Sequence, residues 1–462
     1  MIASTKPCTN NRMTKPTALL WLRQDLRLSD NPALIAAVKD GFAVLPVFVL
    51  DDENAGEWKH GSASRWWLHQ SLAALNKSMG GHIIFRKGDT TSLLPKLVED
   101  TGAKAVYWNR CYEPWRIARD KTIKEVLTAN GIEAKSFNAN LLWEPWEVLK
   151  DDGTPYKVFT PYYRRGCLGK AEPAALNAAP KDIPFAATSI KTGTLDDLAL
   201  MPRIKWYGGM ANEWNPGEDG AKKRLKEFLN SGLQGYKEGR NYPARENVSR
   251  LSPHLHFGEI SPRYIWHEAR GLGMASNLET DLDNFCSELG WREFSHSLLY
   301  HFPELPRRPL QEKFASFPWH ENAEHLERWQ KGETGIPLVD AGMRQLWHTG
   351  WMHNRVRMVV GSFLVKNLLL HWHHGEDWFW DTLVDADLAN NSASWQWIAG
   401  CGADAAPYFR VFNPQTQAEK FDPDETYIRR WVPEYGTDKY ARAIVDLKAS
   451  RTRALEAYQE IK

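Results

Sequence analysis

Four short apolar runs, at Thr17–Leu22, Ala43–Leu50, His82–Phe85 and Lys104–Trp108, alternate with stretches of helical period around Asn31–Lys39, Ser62–Met79, Leu93–Thr101 and Pro114–Asn130. The runs have strand length. Strand and helix alternating at this pace imply an α/β domain built on a doubly wound parallel sheet. Such sheets bind ligands at their carboxyl edge. Here the first strand runs into RQDLRLSDNP, without glycine, and neither GxGxxG nor GxxxxGK[ST] occurs anywhere. The loop that normally cradles phosphate is missing, so this is not a standard dinucleotide site.

The alternation stops near residue 137. From about Phe137 to Pro216 the chain is rich in Pro, Gly, Ala and Lys with little periodicity, as expected of a long linker packed across a surface. From Glu218 onward helical spacing dominates, punctuated at Ser252-Pro253, Ser261-Pro262 and Gly335-Ile336-Pro337. The expected organisation is a flexible tail at 1–15, an α/β domain at 16–137, a linker at 138–216 and an all-α domain at 217–462. At roughly 150 residues per domain, 462 residues suffice for two or three cores.

Lys and Arg number 58 against 57 Asp and Glu, which excludes a uniformly basic coat but not a local basic patch. The five cysteines, Cys8, Cys111, Cys167, Cys286 and Cys401, are scattered and form no CxxC pair. They predict reduced thiols in a cytoplasmic protein, with no disulfide frame and no zinc site. The polar N-terminus has no secretory character, and Met13 is an alternative start. The most apolar later run, Met358 to Leu370, is 13 residues, is broken by Lys366 and falls short of the about 20 residues of a membrane span. His371, His373 and His374 look metal-like, but no further ligand pair lies at suitable spacing. They are expected at a helix end before Gly375, where cationic side chains suit the dipole.

Tryptophan is abundant, at 22 residues, and its N–H is costly to hide, so aromatic surface is used for more than packing. Ala341–Leu370 carries Arg344, Arg355, Arg357 and Lys366 and no acid. Either these cations pair with Asp377, Asp381, Asp385 and Asp387, or they form a surface for phosphates. Downstream, Asp385, Asp387, Asn390 and Asn391 precede Trp395 and Trp397. They suit either a capped helix start or hydrogen bonds to a ligand.

Several stretches carry a resemblance: LLWLRQDLRLSDNPAL (19–34), NVSRLSPHLHFGEISPR (247–263), SELGWREF (287–294), TGIPLVDAGMRQL (334–346), GWMHNRVRM (350–358) and DADLANNSASWQWIAGCGADAAPYFRVFNP (385–414). In this order, from about residue 17 to the end, they resemble the DNA photolyase/cryptochrome family, closest to its microbial class I cyclobutane pyrimidine dimer photolyases. The resemblance implies an α/β antenna domain and a helical domain that holds FAD in a U-shape.

It also implies roles. Tyr236 and the segment Val248, Ser249, Arg250, Leu251 and Ser252 match positions that hold the FAD phosphates and ribityl chain. Val248 stands where Thr is common. Glu288, Arg292, Trp351, Asn354, Arg357, Asp385 and Asp387 match other flavin-pocket positions, with Arg357 and Asp385 as an ion pair. Asn391 matches the residue facing flavin N5, where a neutral amide favours the reduced anionic flavin. Glu288 matches the carboxyl that hydrogen-bonds the damaged bases and stabilises the dimer radical anion. Trp291 and Trp397 match the aromatic walls of the dimer pocket, lined also by Asn354 and Met358. Arg240, Arg355, Arg410 and Gln417 match DNA-contacting positions, and Trp395, Trp372 and Trp319 an electron-carrying tryptophan chain.

The implied activity is that of a deoxyribodipyrimidine photolyase: excited, reduced FAD donates an electron to a flipped-out dimer, whose ring splits. The implied partner is double-stranded DNA containing pyrimidine dimers, met by a cytoplasmic, nucleoid-associated monomer with no membrane, no metal and no obligate protein partner. A (6-4) photoproduct enzyme has two histidines where this chain has Asn354 and Met358. The alternative is a cryptochrome-type blue-light photoreceptor without repair. Plant-type members carry Asp at the position of Asn391 and a long C-terminal extension, whereas this chain ends about 30 residues after Trp431. A light-independent single-strand binder gives no reason for the flavin-pocket acids. Glu113 matches an antenna-contacting position of folate-binding relatives, which implies methenyltetrahydrofolate, with a deazaflavin second. Leu305 and Pro306 replace the Cys-Lys pair that such relatives can carry.

Overall fold

The computed structural model describes residues 15–273, 277–405 and 409–462. Apart from Lys15, the expected tail, with Cys8 and Met13, lies outside the described residues. Five parallel strands, β1 (Thr17–Leu22), β2 (Ala43–Leu50), β3 (Ile84–Lys87), β4 (Ala105–Asn109) and β5 (Glu133–Phe137), lie in the order β3-β2-β1-β4-β5. Helices cover both faces of the central strands, which is why Ala18 to Leu22 are wholly buried and apolar. The fifth strand goes beyond the four runs expected. Its sequence EAKSF has no apolar run because it is a half-exposed edge strand.

The strand order reverses between β1 and β4, and the crevice there is filled by the protein's own polar groups. Asn109 Nδ2 donates to Asp25 Oδ2 at 2.6 Å and to Asn31 Oδ1 at 2.8 Å, and Arg23 pairs with Asp120. RQDLRLSDNP thus replaces the glycine loop with a clamp onto the helical layer. Buried Arg27 donates to the carbonyls of Gly258 (2.8 Å) and Ala139 (2.9 Å), and Asp30 accepts from Arg263 (3.0 Å) and Ser261 (2.6 Å). Gly258, at φ +67°, is required at this seam, since a Cβ there would run into the Gln24 backbone.

Residues 138–216 are mostly irregular and lie across both layers. Pro184 to Ala186 bond to Val44, and the Thr192 carbonyl accepts from Phe85 N–H at 2.8 Å. Tyr162 and Tyr163 pack into the helical core. Prolines open the Ser252–His256, Pro262–Gly273 and Pro337–Thr349 helices, where the missing N–H costs nothing. The longest helix is Glu279–His301. Among the described residues the four cysteines are buried and outside any disulfide, no acid–His–Cys cluster is placed to hold a metal ion, and no helix is long and apolar enough to cross a membrane.

The histidine run departs from expectation. It opens the Trp372–Thr382 helix instead of closing one. His371 is the N-cap, its Nδ1 accepting from the His373 N–H at 3.2 Å, which requires an unprotonated nitrogen. Burial first, then His373, His374 and Arg307, push His371 down to about 4, and burial and Arg307 bring His373 to about 4 as well. These are neutral rings, as the positive end of a helix requires. Unfolding restores values near 6.5, so their contribution is complete above that pH and is lost as pH falls towards 4. We expect the thermal midpoint to drop over this window. His371→Asn, which keeps a cap acceptor that does not titrate, should flatten the profile; an unchanged profile in the variant contradicts the assignment.

Candidate cofactor and DNA site

A cavity of about 800 Å³ opens in the helical layer. Its wall gathers, from separate stretches of chain, every residue matched above to the flavin and dimer pockets, together with Arg240, Arg355 and Trp395. Among the described residues it carries six Lys and Arg against three carboxylates. That excess suits an anionic ligand.

On the inner wall the polar groups are held by partners. Asp385 accepts from Arg357 Nη2 at 2.9 Å and from Ser252 Oγ at 2.6 Å. Asp387 caps the Leu388–Ala399 helix through Asn390 N–H at 2.9 Å, and faces His256 at 3.6 Å and His296 at 3.5 Å. Burial opposes its charge, yet His296, His256 and Arg292 hold its carboxyl well below the usual carboxylate range. Arg292 donates to the Asn140 carbonyl at 2.6 Å. Arg250, at φ +54°, pairs its guanidinium with Glu213 between the rings of Trp214 and Trp351. Tyr236 lines the same cavity as Val248–Ser252, the segment that leads into the Ser252–His256 helix.

Asn391 is buried, its Nδ2 donating to the Glu376 carbonyl at 3.0 Å. The Glu376 side chain accepts from Ser392 Oγ at 2.6 Å and from Arg307 at 3.2 Å, and burial pushes it up to about 8. A protonatable carboxyl therefore anchors the helix that presents Asn391.

The mouth is aromatic and basic. Trp291 stacks on Phe159, centroids 3.8 Å apart at 10°, so its plane is fixed. Trp397 leans on Phe412 at 6.3 Å. Glu288 is paired with Arg240, and Arg355 with the Asn241 carboxamide while lying 4.5 Å over the Phe421 ring. Met358 sulfur is 3.9 Å from Arg355 Nη1, and Asn354 begins the Asn354–Ser362 helix.

The basic stretch 341–370 divides between its two readings. Arg344 pairs with Glu434 at 2.7 Å and Arg357 with Asp385, whereas buried Lys366 donates to the Ala399 carbonyl at 2.6 Å. Arg355 has no carboxylate partner among the described residues and stands at the mouth.

Other matched residues lie off the cavity. Trp319 meets His371 at 5.1 Å, and His371 meets Trp372 at 5.5 Å, whereas Trp395 on the wall contacts Phe379 at 5.0 Å and Trp329 at 6.3 Å. Arg410 is exposed, and Gln417 lies on the Pro414–Phe421 helix with its Oε1 buried and unpartnered. Glu113 stands at the N-cap position of the Pro114–Ala129 helix, paired with Arg116 at 3.2 Å and accepting from Gln24 at 3.0 Å; its other oxygen is buried without a partner. Lys237, Asn241 and His256 also line the cavity although the sequence did not single them out. Their signal was present: Lys237 and Asn241 flank Tyr236 and Arg240 one helical turn apart, and His256 sits inside the quoted LSPHLHFGE.

The donor set fits FAD. Cations, hydroxyls and two held carboxylates suit phosphates, a polyol chain and ring N–H groups. The Nε of Arg250 and of Arg355 and both ring nitrogens of His256 are buried without partners, left over by the protein's own bonds.

Comparison with known proteins agrees. Residues 285–437 match the family described as FAD binding domain of DNA photolyase, and residues 18–181 that described as DNA photolyase. A deoxyribodipyrimidine photo-lyase of Agrobacterium fabrum is 44% identical over 96% of this chain and 98% of its own. Cryptochrome-1 of Arabidopsis thaliana is 39% identical over 90% of this chain and 63% of its own. The crystal structure of a bacterial class III photolyase from Agrobacterium tumefaciens superposes with a TM-score of 0.93 at 43% identity, over 98% of this chain and 99% of that one. On two domain matches and relatives aligned over nearly its whole length, the chain belongs to the DNA photolyase/cryptochrome family.

Proposed function

We propose that this chain is a light-driven repair lyase that binds FAD in the cavity and splits cyclobutane pyrimidine dimers in double-stranded DNA. One observation supports this above the rest: the wall of Asp385, Asp387 and Asn391 and the mouth of Glu288, Trp291 and Trp397 belong to the same cavity. A bound dinucleotide and a flipped-out pair of crosslinked adjacent bases are therefore brought together. Reduced FAD, when bound, supplies the light-driven electron that opens the dimer and recovers it afterwards.

The chain's own residues bind, orient and exclude water. Tyr236 and Val248–Ser252 hold the phosphates and ribityl chain, with Val248 offering no hydroxyl. Arg357 and Ser252 fix Asp385 as an oriented acceptor. Asn391 directs an N–H to the Glu376 carbonyl and keeps its carboxamide oxygen for the flavin ring; being neutral, it brings no acid to N5. Trp395, Trp372 and Trp319 relay electrons from the surface. On docking, Arg240 and Arg355 exchange Glu288 and Asn241 for DNA phosphates, and Arg410 and Gln417 add contacts outside the cavity. Glu288 is then free for the damaged bases, which Trp291 and Trp397 sandwich. A dimer is poorly stacked in the duplex, so its extrusion costs less than that of intact bases, the selectivity common to enzymes that flip their target out of the helix, photolyases among them.

The similarity to the Agrobacterium structure supports a class III-like enzyme over the class I type expected from the motifs. For the antenna, the unpartnered buried oxygen of Glu113 supports a hydrogen-bonding chromophore, methenyltetrahydrofolate first and a deazaflavin second.

The test is loss of thymine dimers from a UV-treated duplex under blue light, with pre-reduced protein and a dark control. Light-dependent loss is expected; intact dimers despite bound, reduced flavin point to a photoreceptor. Arg355→Ala should weaken binding to damaged and undamaged duplex alike and lower the slope of log affinity against log salt by about 1. An unchanged slope removes Arg355 from the DNA surface.

A further inference from the structure

Asp387 offers the cavity a carboxylate whose two oxygens are differently engaged. Oδ1 accepts from Asn390, from the backbone at 2.9 Å and from the side chain at 2.6 Å. Oδ2 faces two imidazoles, His256 Nδ1 at 3.6 Å and His296 Nε2 at 3.5 Å. None of the three side chains is more than 12% exposed.

The other nitrogen of His296 fixes its protons. Nδ1 lies 2.9 Å from the Arg292 carbonyl, which can only accept, so Nδ1 carries a hydrogen. A neutral imidazole has one N–H. A neutral His296 therefore turns the Nε2 lone pair onto a carboxylate oxygen, a repulsive contact in a poorly screened site. One further proton, on Nε2 or on the carboxyl, makes the contact attractive.

The surrounding groups compensate Asp387 only in part. Arg292, one turn earlier on the Glu279–His301 helix, adds positive charge but directs Nη1 to the Asn140 carbonyl. From the α/β layer, Glu113 favours protonation of His296, and the Tyr112 ring meets it edge-on at 6.4 Å. His60, also from that layer, faces His256 at 6.2 Å. Burial lowers His296 below the usual imidazole range, and Asp387 pulls the other way without reversing it.

We infer that His296 and Asp387 share one proton at neutral pH, with His256 as the third member of the cluster, and that this proton neutralises the wall against which an anionic dinucleotide binds. The first half stands on geometry alone. The second rests on the proposed function. Without the proton, Asp387 adds one more negative charge to the wall that a ligand, itself an anion, must approach. FAD affinity is then complete at pH values below the pair's pKa and falls as pH rises through it, by about tenfold per unit for a single linked proton.

Two measurements on the full chain separate the halves. With ¹⁵N-labelled histidine and ¹³C-carboxyl aspartate, and His296→Gln and Asp387→Asn for assignment, the pair should hold one proton beyond the Nδ1–H at pH 7. A singly protonated His296 beside an ionised Asp387 overturns the inference. FAD titrations of the flavin-free chain should then weaken about tenfold per pH unit above the midpoint. In His296→Gln, whose amide donates at every pH, they should be flat. If that variant does not fold, calorimetry of the unaltered chain in two buffers of different ionisation enthalpy replaces it. Proton uptake on binding above the midpoint is expected, and none at any pH overturns the linkage. Failure to bind FAD at every pH, with the proton in place, overturns the proposed function and leaves the shared proton standing.

Discussion

A cavity of about 800 Å³ with charged walls persists inside a helical layer only if the charges are held by partners other than the ligand. This chain meets that demand almost residue by residue. Asp385 is held by Arg357 and Ser252, Arg292 by the Asn140 carbonyl, Arg250 by Glu213 and two indole rings, and Asp387 by Asn390. Many of these partners come from distant stretches: Asn140 and Glu213 lie in the segment between the two domains. The segment that looks like a connection is part of the wall's support.

The same logic explains the sheet. A glycine loop opens a phosphate site at the carboxyl edge, and here that edge is closed instead by Arg23, Asp25, Asn31 and Asn109, while Arg27 and Asp30 reach across to Gly258 and Arg263. The α/β layer carries no dinucleotide loop of its own; it fixes the position of the LSPHLHFGEISPR segment, whose first residues face the cavity. The mouth follows a different rule. There the pairs Arg240–Glu288 and Arg355–Asn241 are only part-buried, so the proposed exchange for phosphates and bases costs less than breaking a buried pair would.

Much of this was legible in the sequence. Runs such as TALLWL and AVLPVFVL announce central strands, because a strand covered on both faces must be apolar throughout. EAKSF carries no such signal, since an edge strand is defined by its neighbour and not by its own hydropathy. HWHHG was misplaced: the histidines cap the start of a helix, a role set by backbone direction and not by residue type. The motifs identified which residues gather at the cavity, but not how they are neutralised. Arg240 with Glu288 and Arg250 with Glu213 are separated by 48 and 37 positions, and only the packing of helices joins them. Likewise the stacking of Trp291 on Phe159 depends on a residue from the irregular segment, which no periodicity marks.

In the proposed function, one cavity receives both the dinucleotide and the extruded dimer. A crystal structure of the chain loaded with FAD and bound to a duplex containing a single thymine dimer tests it most directly. The isoalloxazine ring is expected against Asn391 and the dimer out of the helix between Trp291 and Trp397, with Glu288 released from Arg240. A duplex bound elsewhere, or a flavin seated outside this cavity, contradicts it.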